Sequence, residues 1–228
     1  MRRILIFGLL LALAPATVSS AATPAVDESL SYEWRLEGFL GTIARLVFPG
    51  RGVGKITAQD IGDGLLKTEL HISSPESAEG EFWLYGAEVD PDRGSTREVW
   101  SAYKHKDKEK QKRALVDEDG VIDIASGIYL IRRDPPTEPR PMKIWSDGKV
   151  YPVRVEPGEW RDRKLADGEK VRARVYKIRA DDSVKSDGQW KGRLDIWLAD
   201  DDVATPVEIL VERLSVRVRM RLGGSISN

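Results

Sequence analysis

Five Asp-Gly pairs, Asp63-Gly64, Asp119-Gly120, Asp147-Gly148, Asp167-Gly168 and Asp187-Gly188, divide the chain into short lengths. Asp and Gly both tolerate the positive φ that a two-residue hairpin turn demands, so the pair marks a turn when strand-like segments flank it. The flanking segments alternate. In Leu214 to Leu222, the residues Leu214, Val216, Val218, Met220 and Leu222 share one face and Ser215, Arg217, Arg219 and Arg221 the other, a period of two that a helix would scatter around its circumference. Val171, Ala173 and Val175 oppose Arg172, Arg174 and Tyr176; Leu194, Ile196 and Leu198 oppose Asp195, Trp197 and Ala199. Tyr32, Trp34 and Leu36 oppose Ser31, Glu33, Arg35 and Glu37, and Gly38 to Gly41 turns the chain into a further strand over Thr42 to Phe48.

One segment keeps another period. Asp123 is placed to cap a short helix near residues 124–132, in which Ile124, Ile128 and Ile131 fall on one stripe. Pro135-Pro136 stops it, and Thr137 to Pro141 reads as a proline-rich connector. The expected fold is mainly β: antiparallel strands curled into an open or closed barrel, because a large sheet must hide an apolar face, with one short helix. The 20-residue spacing of the last three Asp-Gly pairs suits successive hairpins.

The N-terminus carries a separate message. Met1-Arg2-Arg3, the apolar run Ile4 to Ala14 and the small residues up to Ala22 have the layout of a secretory signal peptide. The apolar run is about half the roughly 20 residues a spanning helix needs. We therefore expect a signal peptide over 1–22, cleaved after Ala21 or Ala22, export to the periplasm, one β-rich domain over 23–228, and no transmembrane segment after cleavage. Loss of Arg2 and Arg3 leaves 34 basic against 37 acidic residues, a net charge of −3. Such a balance provides no global field toward nucleic acid, and no nucleic-acid partner is expected.

Composition also narrows the chemistry. With no Cys there is neither a disulfide framework nor a thiolate site, and with only His71 and His105 there is little material for a histidine-rich metal centre. No metal, cofactor or catalytic residue is assigned. His71 falls on the Glu69, His71, Ser73 side of an alternating strand and reads as surface. The run Lys104 to Arg113 holds six basic and two acidic side chains and reads as a solvated hairpin or helical tip, although it can also grip an anion. The rows Arg172/Arg174 and Arg217/Arg219/Arg221 read first as arginines on a solvent face, second as one basic wall if their strands pair. Asp200-Asp201-Asp202 reads as a turn, since calcium loops need spaced ligands; Asp90, Asp92 and Glu98 fall short in the same way. Seven Trp spread over almost every hairpin and read first as core and cross-strand partners, second as the lining of a lipid or sugar pocket.

Four groups of residues recur in one order known from a family: Leu30-Ser31-Tyr32-Glu33-Trp34 with Gly41, Asp123 to Arg132, Gly148-Lys149-Val150-Tyr151, and Asp195 to Asp201 ahead of Pro206-Val207. In this the chain resembles the exported bacterial proteins of domain of unknown function thirty-one-oh-eight. The likeness spans most of residues 29 to 222, and departs at Ser215 and in the short stretch after Arg133. The resemblance implies an envelope protein built mainly of antiparallel strands and carries over no catalytic residue. Its best motifs single out Asp123, Tyr129, Arg132, Trp197 and Asp201 as structural candidates. A helix-terminal arginine and a strand-end acid are each costly when buried alone, so Arg132 and Asp201 are expected to pair.

The functional expectation that follows is a non-enzymatic periplasmic protein binding or carrying a lipid, glycan or other amphipathic envelope component inside a curved sheet. A scaffold in envelope assembly, with an envelope protein as partner, is the alternative, and a carboxylate-dependent cell-wall hydrolase a third reading. The inside of the sheet separates them: a cavity, a filled core, or converging acids.

Overall fold

The computed structural model describes residues 27–37, 50–74, 80–116, 118–146, 148–184, 188–213 and 216–223. The leader over 1–22 and the strand expected over Thr42 to Phe48 lie outside them. In chain order the strands are β1 (Glu28–Glu37), β2 (Arg51–Gly62), β3 (Leu65–Ser73), β4 (Phe82–Asp90), β5 (Ser95–His105), β6 (Lys108–Leu115) and β7 (Val121–Ile122). The helix α1 (Ile124–Arg133) follows, then β8 (Arg140–Ser146), β9 (Lys149–Lys164), β10 (Lys170–Ala180), β11 (Gly192–Ala199), β12 (Pro206–Arg213) and β13 (Val216–Leu222). They form one 13-stranded sheet in the order β6-β5-β4-β3-β2-β1-β13-β12-β11-β10-β9-β8-β7. Every neighbouring pair is antiparallel except β7 with β8.

The turns show how far local chemistry directs this order. Asp63 and Gly64 both take positive φ, 55° and 73°, and join β2 to β3 as the Asp-Gly signal predicts. Gly148 and Gly168 turn β8 into β9 and β9 into β10, also at positive φ. Asp187 lies outside the described residues, and Asp119-Gly120 departs from the hairpin pattern. It leads into β7, which runs parallel to β8, so no hairpin can join them and α1 makes the crossover. The connector expected over Thr137 to Pro141 is shorter than read, because β8 already begins at Arg140 and includes Pro141.

Rolled up, the sheet does not close into a ring of paired strands. At the open side β7 packs against β5, Val116 N–H donates to the Arg97 carbonyl at 2.9 Å as a last rung between β6 and β5, and on the far side of β7 Lys143 N–H donates to the Gly120 carbonyl at 3.1 Å. The inner face carries Tyr32, Trp34, Leu36, Leu70, Ile72, Ile196, Ile209 and Met220, all buried. Trp34 meets Trp83 edge-on, with ring centroids 6.5 Å apart, a favoured aromatic geometry. Trp34, Trp145, Trp190 and Trp197 are buried, Trp83 and Trp100 partly so, and Trp160 is 41% exposed. Most of the tryptophan is therefore core.

Helix α1 lies inside the roll against β3, β4 and β7. Asp123 caps it reciprocally: Ser126 N–H donates to Asp123 Oδ1 at 2.7 Å, and Asp123 N–H donates to Ser126 Oγ at 2.8 Å. Ala125 through Arg132 are all buried. The isoleucine stripe named the helix correctly, yet Ser126, Gly127 and Arg132, which an amphipathic surface helix would turn to water, are enclosed because the sheet wraps the whole element.

Two irregularities give the sheet a second layer. Between Arg174 and Tyr176 the β9 register slips by one residue at Gly158, and β11 slips against β12 between Trp197 and Leu198. Bulges bend strands. The β9–β10 hairpin continues past the end of β11, and its tip reaches over the outer face, where Ala166 N–H donates to the Leu222 carbonyl at 2.9 Å and Leu165 is buried. We call this tip, residues 163–171, the arm.

Candidate functional site

The strand registers sort side chains into two working surfaces. On the inner face of β4, β5 and β6, Trp83 lies opposite Tyr103 and Tyr103 opposite Lys110; Tyr85, Ser101 and Lys112 form the next row, and His105 stands opposite Lys108. One row further, Ala87 and Val99 are fully buried. Trp83, Tyr85, Ser101 and Tyr103 are only half-buried, and the three lysines are exposed. The inner face thus passes from a dry core to an aromatic lip edged by ammonium groups. Lys112 sits beside the β8–β9 turn, where a Cβ on Gly148 would stand 3.9 Å from its Nζ. At the top of the lip His105 Nδ1 lies 2.5 Å from Oε1 of the buried Glu81. Aromatic faces accept apolar chain, and lysine stems cover apolar surface while the charged ends meet anions.

The second surface is on the outside. Glu208 of β12 is 1% exposed and is held by Arg163 of the arm and by Arg219 and Arg221 of β13, the last through Nε at 3.3 Å. Arg219 also donates to Glu37 Oε1 at 2.7 Å. This hydrogen bond holds the Glu37 carboxyl below its ordinary value; burial alone would lower the Arg219 pKa, but Glu37 and Glu208 raise it. The Arg163 guanidinium lies 4.2 Å over the Trp197 ring, a cation–π contact that fixes the arm to the sheet. Beside this cluster a cleft of about 250 Å³ opens between β1, β13 and the arm, lined by Glu33, Arg35, Glu37, Lys164, Arg219 and Arg221 among others.

The two arginine rows do not make one wall. β11 and β12 separate β10 from β13. The register also puts Arg174 and Tyr176 on the face of Leu198 and Ile196, opposite to Arg219. Arg172 lies 5.4 Å over Trp160, and Arg174 donates to the Gly158 carbonyl at 3.0 Å. The Lys104 to Arg113 run is the β5–β6 hairpin, turning at Lys106 with positive φ.

The structural candidates are distributed as follows. Asp123 is the helix cap; burial pushes its carboxyl up, against the hydrogen bonds from Ser126. Tyr129 is buried in α1, where burial raises its phenol. Trp197 lies under Arg163 on the outer face. Arg132 is fully buried but does not pair with Asp201. Its guanidinium grips Glu28 in a fork, Nη1 to Oε2 at 2.5 Å and Nη2 to Oε1 at 2.9 Å, and Nε donates to the Ala204 carbonyl at 3.1 Å. Asp201 instead accepts from Thr205 N–H at 2.9 Å. Both motifs serve one loop, the β11–β12 turn containing Ala204 at φ 48°, Arg132 from the helix side and Asp201 from within. Nearby, the Tyr32 hydroxyl donates to Pro206 at 2.7 Å, and burial raises that phenol strongly. Glu28 escaped the sequence reading. Its signal is parity, for Glu28 falls on the same side of β1 as Leu30, Tyr32, Trp34 and Leu36.

The acids considered for metals disperse: Asp90 accepts from Asp92 and Arg93 N–H groups, Asp92 pairs with Arg133, and Glu98 with Arg113. Among the described residues no three or more His, Asp or Glu are grouped to hold a metal ion. His71 is exposed beside the Phe82 ring at 5.8 Å. No described helix is long and apolar enough to cross a membrane.

No family model matches the chain, and no curated protein matches it. Among solved structures it is similar to the crystal structure of a beta-barrel-like protein of domain of unknown function DUF1849 from Brucella abortus. The two are 12% identical, with a TM-score of 0.58, over 88% of this chain and 97% of that one. The fold is thus of the beta-barrel-like class, and at this identity the likeness concerns the fold alone.

Proposed function

We propose that the chain is a non-enzymatic protein of the bacterial periplasm that binds or carries an amphipathic, anionic component of the envelope, lipid or glycolipid, at the aromatic lip. One observation carries this reading: Trp83, Tyr85 and Tyr103 lie half-buried on the inner face in register with Lys108, Lys110 and Lys112. An apolar chain resting on the rings and an anionic group among the ammonium ends satisfies both halves. Below the lip the roll is filled by α1 and its dry surroundings, so the ligand lies at the lip and is not swallowed. The leader-like N-terminus and the motif order shared with the exported family support the same setting.

The scaffold reading, in which β6 recruits a partner strand, is opposed by the same lysines, since charge along an edge strand discourages pairing. The hydrolase reading needs an acid with a raised pKa in a cleft; the carboxyl that burial raises, Asp123, is enclosed under α1 as its cap.

Native mass spectrometry of protein recovered from its own periplasm tests the proposal. Co-purifying amphiphile is expected, and it should be lost on K108E/K110E/K112E with the fold retained by circular dichroism. A clean unliganded mass, together with no uptake of anionic detergent-dispersed lipid by the purified protein, overturns it.

A further inference from the structure

The cleft under the arm is a separate surface on the opposite face of the sheet, and its charges do not balance. Around it stand five cations, Arg35, Arg163, Lys164, Arg219 and Arg221, and three acids, Glu33, Glu37 and Glu208. Arg163 and Arg219 are committed to Glu208 and Glu37. Three cations keep donors in reserve. Arg35 reaches no acid closer than Glu33 at 4.0 Å, with both side chains at least 60% exposed, a distance and exposure at which little is gained. Lys164 makes no ion pair among the described residues. Arg221 spends only Nε, leaving its two terminal nitrogens without a hydrogen bond among the described residues. These donors come from three elements, Arg35 from β1, Arg221 from β13 and Lys164 from the arm.

We propose that this cleft binds a phosphate-class oxyanion, free or as a phosphomonoester headgroup. The surplus of two positive charges matches a dianion. Guanidinium forks match tetrahedral oxyanions in bidentate geometry. A cleft of about 250 Å³ holds such a group with several waters, each occupying roughly 30 Å³ in the liquid, but not a folded partner. Buried Glu208 plays a positioning role, drawing Arg163 and Arg221 inward so that the arm and β13 border one cleft. An anion held there straps the arm to β1 and β13.

Two measurements test the site. Isothermal titration of the intact protein with inorganic phosphate, at ionic strength fixed with chloride, is expected to show saturable binding. R35A/K164A, changing exposed side chains only, should weaken it about tenfold or more, whereas K108E/K110E/K112E at the lip should leave it unchanged. Phosphate should also slow hydrogen exchange of the arm amides in the wild type and not in R35A/K164A. Flotation with phosphatidylcholine vesicles containing phosphatidic acid then separates the sources: retention that R35A/K164A abolishes assigns a lipid headgroup, and phosphate binding without retention assigns a free anion. No phosphate binding by the wild type, binding indifferent to R35A/K164A, or vesicle retention without a phosphate response overturns the proposal.

Discussion

Arg132 and Glu208 lie on opposite faces of one sheet and meet the same difficulty with opposite sign. Arg132 is a fully buried cation, and Glu208 a carboxylate with 1% exposure. The inner cation is satisfied by one carboxylate and by backbone carbonyls, so the helix end, β1 and the β11–β12 loop are locked with no charge left over. The outer anion is satisfied by three arginines whose side chains are 20–40% exposed. Their surplus donors face water. A balanced pair enclosed by core is a structural device, whereas an overcompensated charge beside a cleft leaves binding capacity; this difference is why the outer cluster and not the inner one is read as a site.

The largest loss is expected at Arg132. Arg132→Ala strands the Glu28 carboxylate, 14% exposed, and frees the Ala204 carbonyl that holds a left-handed residue in place. The expected loss is about 3–5 kcal/mol in urea unfolding, the range for removing one partner of a buried pair. Glu208→Gln ranks second at roughly 1–3 kcal/mol, the scale of charge-assisted hydrogen bonds, because its arginines can relax into solvent. It should also raise hydrogen exchange over residues 163–171 while leaving α1 protected. Equal losses from the two substitutions would show that the outer cluster is as enclosed as the inner one, and the distinction would go.

Substitutions at Asp123 and Glu37 extend the contrast to pH. Burial raises the Asp123 carboxyl, so the folded state holds its proton more tightly than the unfolded chain does, and this group costs stability as pH rises from the ordinary aspartate range through its raised value. Glu37, lowered by Arg219, does the reverse: it stabilises above the ordinary glutamate range, and that contribution is lost as pH falls through its depressed value. Asp123→Asn should remove the first slope while keeping a cap, and Glu37→Gln the second, in unfolding measured from pH 3 to 7. Asp123→Ala should cost about 1 kcal/mol as a lost cap. Inner and outer acids with slopes of the same sign would contradict the electrostatic contrast between the faces.

What the residues announced and what they withheld divide along the same line. The Asp63-Gly64 turn, the alternation of β1 and the Asp123 cap are decided within a few residues, and each was legible. Glu28 reaches Arg132 from 104 residues away and Arg163 reaches Glu208 from 45, and both pairings depend on strand order, which local pattern does not encode. The arginine rows of β10 and β13 form one wall only if those strands pair; β11 and β12 come between them, and Arg174 and Arg219 fall on opposite faces. The lip suffered from its setting. Lys108, Lys110 and Lys112 look like a solvated tip until the register sets them beside Trp83 and Tyr103.

The smallest expected effect concerns the junction of the edge strand β7 with β8. Lys143 of β8 donates to Glu118 Oε1 at 2.5 Å, with side chains 41% and 54% exposed. Glu118 precedes β7, so the pair ties the edge segment to its parallel neighbour alongside the Lys143 N–H bond to Gly120. Exposed pairs contribute little after side-chain entropy and screening, and Glu118→Gln should shift unfolding by about 0.5 kcal/mol or less, with the difference vanishing in high salt. The main-chain bond and the packing of Val121 and Ile122, both fully buried, keep β7 in place without it. A loss approaching that of Glu208→Gln would mean that β7 is held to β8 by surface charge and not by core, and would make that junction a third electrostatic joint of the same rank as the two compared above.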